Sequence, residues 1–185
     1  MALGATLYHL QIELSDVDRG VYETLDLRIA RHPSESMPYF LTRTIAYALL
    51  YEKGIAFSKG GLSTADEPPL AVHDLQGNLR VLIEIGTPSA ERLHKGSKAS
   101  PRLVVFTQNN PRLLVREAGT REIHKVDQIE VYSLEPKFLE QLGEITDRNA
   151  RWTLLRSDGV LYVTVGAKTV SGAVTKHTLA TDPQQ

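Results

Sequence analysis

Alternation of apolar and polar positions dominates both ends of the chain. Over residues 5–14, Tyr8, Leu10, Ile12 and Leu14 alternate with Leu7, His9, Gln11 and Glu13, a period of two that predicts a strand. Asp16 to Gly20 reads as a turn, and residues 21–30 alternate again through Leu25, Leu27 and Ile29, predicting an antiparallel hairpin. A helical period takes over after His32-Pro33-Ser34-Glu35, with Phe40, Leu41, Thr44, Ile45, Ala48 and Leu49 on one face. Ser34 is the expected N-cap, Glu35 the first-turn acid, and Gly54 the stop. Residues 57–64 read as a Gly/Ser loop.

Pro68-Pro69 delays any strand to Leu70, and a hairpin is predicted over 70–75 and 79–86 around Gln76-Gly77-Asn78. Its second arm is nearly continuous apolar sequence, the pattern of a strand covered on both faces. A helix over 89–98 behind Pro88, then a strand over 102–107, predict a right-handed parallel crossover. Helices over 111–119 and 135–145 flank a strand over 128–132. Strands over 151–155 and 160–165 joined by Ser157-Asp158-Gly159, a last strand over 169–179 and a frayed tail over 181–185 complete the chain. The fold expected is one α/β (α+β) domain over 1–185: a mixed central sheet flanked by helices, with antiparallel hairpins from the N- and C-terminal ends.

Composition narrows the chemistry. The 185 residues are 42% apolar and 23% charged with a formal charge of −1, so a nucleic-acid partner would have to be met by local positive charge. There is no cysteine, which removes disulfides and thiolate chemistry. No basic-then-apolar leader and no apolar run near the roughly 18 residues of a membrane span are evident, so a cytoplasmic protein without membrane contact is expected. His9, His32, His73, His94, His124 and His177 lack the close paired spacing of a zinc site. KGSK at 95–98 lacks the glycine spacing of a phosphate loop, and no nucleophile elbow or dinucleotide fingerprint is present.

One anomaly remains. Glu84 lies inside the apolar run Val81-Leu82-Ile83-Glu84-Ile85, and a carboxylate buried there must be paired, hydrogen-bonded or metal-bound. Asp66 and Glu67 head the opposite arm of the same hairpin, near Glu84, where carboxylate oxygens could hold Mg²⁺ or Mn²⁺. Equally, Asp66 could cap a turn and Glu84 pair with Arg80, with Arg43 or with another helix residue. The helix predicted over 89–98 carries Arg92, Lys95 and Lys98 in one stripe, suited to a phosphate backbone or to plain solvation.

The run Arg31-His32-Pro33-Ser34-Glu35 with Arg43, then Phe57-Ser58-Lys59-Gly60-Gly61-Leu62-Ser63, Asp66-Glu67-Pro68 and Ile83-Glu84-Ile85-Gly86 with Pro88, resembles the bacterial YaeQ family across the whole chain. The resemblance implies a variant of the PD-(D/E)xK, restriction-endonuclease-like nuclease fold. It also implies phosphodiester hydrolysis with Mg²⁺ (or Mn²⁺) on Glu35, Asp66 or Glu67, and Glu84. Arg43 would brace the acids, and nucleic acid, DNA or RNA, would be the partner. Two departures bear on catalysis. The lysine two after the second acid is replaced by Gly86, leaving Lys95 or Lys98 to supply the cation, and Thr87 stands where family members carry glutamine. The alternative reading is a nuclease-fold protein that binds nucleic acid or regulates without hydrolysis.

Overall fold

The computed structural model describes residues 4–59 and 66–180. Its strands form one ten-stranded sheet, and the elements that position the candidate site lie at one end of it. The first hairpin is β1 (Thr6–Asp16) and β2 (Val21–Arg31), antiparallel along its full length. The predicted alternation is realised: Leu10, Ile12, Leu25, Leu27 and Ile29 are buried on one face.

Helix α1 (Met37–Leu49) starts later than the sequence reading has it, with Ser36 rather than Ser34 as N-cap. The Ser36 hydroxyl accepts from the Tyr39 N–H at 3.3 Å. Pro38 explains the shift. A helix capped by Ser34 would need a main-chain N–H from residue 38, which proline lacks, whereas behind Ser36 the proline falls among the positions that need no donor. Residues 32–35 form a turn instead, closed by the Glu35 N–H donating to the His32 carbonyl at 2.9 Å. Glu35 is therefore a pre-helix residue.

A short strand β3 (Ile55–Phe57) claims the start of the expected Gly/Ser loop, whose residues 60–64 lie outside the described residues, as does the tail over 181–185. Strands β4 (Leu70–His73) and β5 (Leu79–Ile85) form the second hairpin. Helix α2 (Ala90–Ala99), capped by Ser89, carries the chain over to β6 (Arg102–Thr107), which is parallel to β5 as anticipated. Helix α3 (Pro111–Ala118) and a 3₁₀ turn over Val126–Gln128 lead to β7 (Glu130–Leu134), two residues later than read from the sequence.

Helix α4 (Pro136–Ile145) precedes β8 (Asn149–Ser157), β9 (Val160–Val165) and β10 (Lys168–His177). Asp158 and Gly159, both at positive φ, turn β8 into β9. The strand order is β2-β1-β8-β9-β10-β7-β6-β5-β4-β3. The terminal hairpins are thus parts of the sheet: β1 pairs parallel with β8, and β10 pairs first with β9 and then with β7.

The core is divided by the sheet. On one face α1 and α4 pack in a core that draws side chains from both edges of the sheet, β2 and β3, and from the strands between, with Phe40, Ile45, Phe138, Trp152 and Phe106 among the buried side chains. On the other face α2 and α3 cover β5 to β7, burying Leu82, Leu93, Leu103, Val105 and Val131. Successive residues of β5 and β6 therefore enter different cores, as the pleat requires. Among the described residues no helix is long and apolar enough to cross a membrane.

Candidate functional site

Glu84 shares its face of β5 with Leu82, under α2. It is 4% exposed, and its partner comes from the helix: Arg92 Nε donates to Glu84 Oε1 at 2.8 Å. The same guanidinium reaches back through Nη2 to the Glu67 carbonyl at 2.8 Å, so Arg92 ties the acidic turn to the strand. Burial pushes the Glu84 carboxyl above its usual value, and Arg92 opposes the shift without cancelling it. The carboxylate is thus paired yet still electrostatically strained.

A hollow of about 340 Å³ opens beside this pair, lined by Asp66, Glu84, Glu91, Arg92 and Lys95 among others. Asp66 is solvent-exposed there, and the exposed Glu67 lines the adjoining hollow. Lys95 Nζ lies 2.9 Å from Glu91 Oε1, an exposed pair one helical turn apart. That pair and the more distant charge of Asp66 raise the Lys95 pKa. Lys98 does not line this hollow. It faces a second one with His94 and Arg121. Of the two lysines proposed from sequence, the fold brings Lys95 alone to Glu84 and Asp66.

Glu35 forms a separate centre. Arg43 Nε donates to Glu35 Oε1 at 2.9 Å and Nη2 to Oε2 at 3.1 Å, a two-pronged pair, while the His32 N–H donates to Oε2 at 3.1 Å. Arg31 Nε holds the Glu35 carbonyl at 3.0 Å. The Arg43 guanidinium lies 5.3 Å from the Phe57 ring centroid. Both side chains are buried, and breaking such a pair by removing one partner costs about 3–5 kcal/mol. Arg43 braces Glu35, not Glu84, and Glu35 does not line the Asp66–Glu84 hollow.

Two residues at this end, Tyr39 and Gln108, escaped the sequence reading, and a third, Gly86, gains its local geometry. Tyr39 stands between the two ion pairs; burial, with the charges of Glu35 and Glu84 adding and those of Arg43 and Arg92 opposing, pushes its hydroxyl up to about 12. It stays a proton donor at neutral pH. Gly86 follows β5 at φ +88°, a left-handed conformation that suits glycine and strains any side chain. A lysine at this position would be held in that strained backbone conformation. A Cβ built there would lie 3.7 Å from the Tyr39 ring and 3.8 Å from the Gln108 amide nitrogen. Gln108 follows the parallel strand β6, and among the described residues its buried Oε1 has no hydrogen-bond partner. The available signal was positional: both residues sit at the carboxyl ends of adjacent parallel strands, where open α/β sheets bind ligands. Thr87 accepts from Asn109 Nδ2 at 3.0 Å, pinning the two loops together at the surface.

Among the described residues no three His, Asp or Glu side chains are grouped to hold a metal. The donor set nevertheless fits Mg²⁺, which is bound by one or two carboxylates together with water and substrate phosphate. Asp66 and Glu84 supply two hard oxygen donors to one hollow.

Comparison with known proteins places this geometry. A solved structure of YaeQ from Xanthomonas axonopodis pv. citri matches with a TM-score of 0.85 and 27% identity, covering 94% of this chain and 98% of that one. YaeQ from Pseudomonas syringae matches at 0.84 and 30% identity over 94% and 96% of the two chains. By sequence, YaeQ of Salmonella typhi is 26% identical over 164 residues, 88% of this chain and 90% of the relative. YaeQ of Escherichia coli (strain K12) is 25% identical over the same span. The family model described as YaeQ protein matches residues 1–174, and the chain belongs to the YaeQ family.

Proposed function

We propose that the protein is a Mg²⁺-dependent hydrolase of nucleic-acid phosphodiester bonds. The observation that carries this reading is the hollow in which Asp66, Glu84 and Lys95 meet. The succession α1-β3-β4-β5-α2-β6, with β5 and β6 parallel, also resembles the core of restriction-endonuclease-like nucleases. Asp66 and Glu84 would hold the cation, with Glu67 beside them. Mg²⁺ or Mn²⁺ bound there supplies charge neutralisation at phosphorus and an acidified water.

The chain's own residues do the rest. Lys95, released from its exposed bond to Glu91, meets the negative charge of the phosphate. Arg92 neutralises Glu84 until the site is filled, and its grip on the Glu67 carbonyl keeps the acidic turn against the strand. Glu35 and Arg43 brace the entry to α1 and are positioning residues.

A second reading is a nuclease-fold protein that binds nucleic acid or regulates without cleaving it. The Arg92–Glu84 pair, which occupies one carboxylate oxygen, and Gly86 in place of lysine favour it. Incubation of supercoiled plasmid and of DNA and RNA oligonucleotides with Mg²⁺ or Mn²⁺, against EDTA and the Glu84→Ala variant, decides between them. The hydrolase cuts only with metal and loses at least a hundredfold in rate on the substitution, as the loss of a metal ligand entails. Cleavage that persists in Glu84→Ala counts against the site. Calorimetric metal binding with no cleavage selects the second reading.

A further inference from the structure

A second polar hollow, of about 480 Å³, lies where α2 meets the segment between α3 and the 3₁₀ turn; His94, Lys98, Arg121, Glu122 and His124 line it. Its walls are held in place. Ile123 is buried in the core beneath α2 and α3, so its neighbours 122 and 124 are presented outward from a fixed point. The His124 N–H donates to His94 Nδ1 at 3.2 Å. His94 therefore straps the segment to the helix.

The charge of this hollow is unbalanced. Among the described residues neither Lys98 nor Arg121 makes an ion pair, and Glu122, the one carboxylate in the wall, pairs with neither. Burial, followed by the nearby charges of Lys98, Arg121 and His124, holds the His94 imidazole below its usual pKa. Glu122 in the wall and Glu91, whose carboxylate feels the charge of Arg121, meet this positive charge only in part, and a bound anion would complete its neutralisation. A guanidinium fork beside an ammonium suits the oxygens of a phosphate.

We propose that this hollow is a phosphate-binding subsite, with Lys98 and Arg121 as the anion ligands, His124 at its edge and His94 as the strut. It takes the phosphate of a nucleic-acid backbone or of a free phosphomonoester. In the backbone case the proposal rests on the hydrolase reading. Lys98 is three residues beyond Lys95 on one helix, about 4.5 Å along its axis. Helix α2 thus presents one cation to the Asp66–Glu84 hollow and the next to the subsite. A strand running along α2 would place one phosphate at the acids and another in the subsite, fixing its register.

The test uses the full chain in EDTA, so that cleavage plays no part. Inorganic phosphate is titrated by calorimetry, and labelled DNA and RNA oligonucleotides by fluorescence anisotropy across a salt series. The Lys98→Ala/Arg121→Ala variant, altered only at exposed positions, is compared with the parent and with Lys98→Arg. The double variant is expected to lose the phosphate heat and to bind oligonucleotide at least tenfold more weakly. The slope of log K against log salt should fall by about 1, as one phosphate contact requires, and Lys98→Arg, which keeps the charge, should retain the parent's phosphate heat and affinity. Loss of inorganic phosphate alone assigns the site to a free phosphomonoester, and loss of both assigns it to the backbone. Unchanged affinity in both arms overturns the proposal. Glu84→Gln separates this result from the hydrolase reading, because it removes cleavage and leaves phosphate binding intact. A protein that cuts nothing yet loses phosphate on the double substitution keeps the subsite and rejects the hydrolase.

Discussion

At the scale of single residues, Glu84 is the position where burial and pairing compete most openly. Its carboxyl pKa is raised in the fold, chiefly by desolvation. The folded state therefore holds a proton over a pH range where the unfolded chain has released it, and this group's contribution to stability falls as pH rises above the unfolded value near 4.5. It levels off once pH exceeds the raised folded value. A Glu84→Gln variant escapes that penalty. Melting temperatures recorded from pH 4 to pH 7.5 without metal should show the variant gaining on the parent as pH rises, and a constant difference would contradict this account. The sequence alone exposed Glu84, because an acid among Val81, Leu82, Ile83 and Ile85 stands out. It did not reveal which cation answers it. Arg92 is eight residues away across a strand end, a loop and a helix turn, and no local spacing rule reaches that far.

At the scale of elements, most strands and helices were legible because each has one face in a core and a period that records it. Strands β1 and β2, with α1 and α4 on one face only, show clean alternation; β5 and β6, buried on both faces, show runs. The start of α1 was misplaced because Ser34 and Ser36 are both good caps, and only the proline rule at residue 38 separates them. A less visible determinant is Gly172 of β10. A Cβ there would come within 2.5 Å of Phe138 Cβ, so glycine lets α4 settle onto the sheet. Gly172→Ala should destabilise the protein by about 1–3 kcal/mol, the range for forcing extra volume into a filled core, measured as a lower urea midpoint at unchanged slope. A neutral result would mean that α4 shifts freely, contrary to the full burial of Phe138.

At the scale of the molecule, the joining of the two half-sheets was the least legible feature, because it depends on pairings between distant segments that carry no mutual pattern. Strand β10 bridges them, with Lys168–Ala173 on β9 and Val174–His177 on β7. The chain's one tryptophan, Trp152, is wholly buried in β8, on the far side of that seam from β5 to β7. If the seam couples the halves, Trp152 fluorescence and far-ultraviolet circular dichroism should share one urea midpoint. Separate midpoints would show the halves melting independently.

The same seam has a consequence for how the protein is made. The hairpin β1–β2 leaves the ribosome long before its sheet neighbour β8, which begins at Asn149, and β7 waits for the end of β10. In the interval the nascent chain carries strand edges whose intended partners do not yet exist. Non-local pairings of this kind are slow to form and leave edges open to association with other chains. Yield in the cell should consequently depend on chaperone supply and on the pace of translation through the segment from β8 to β10.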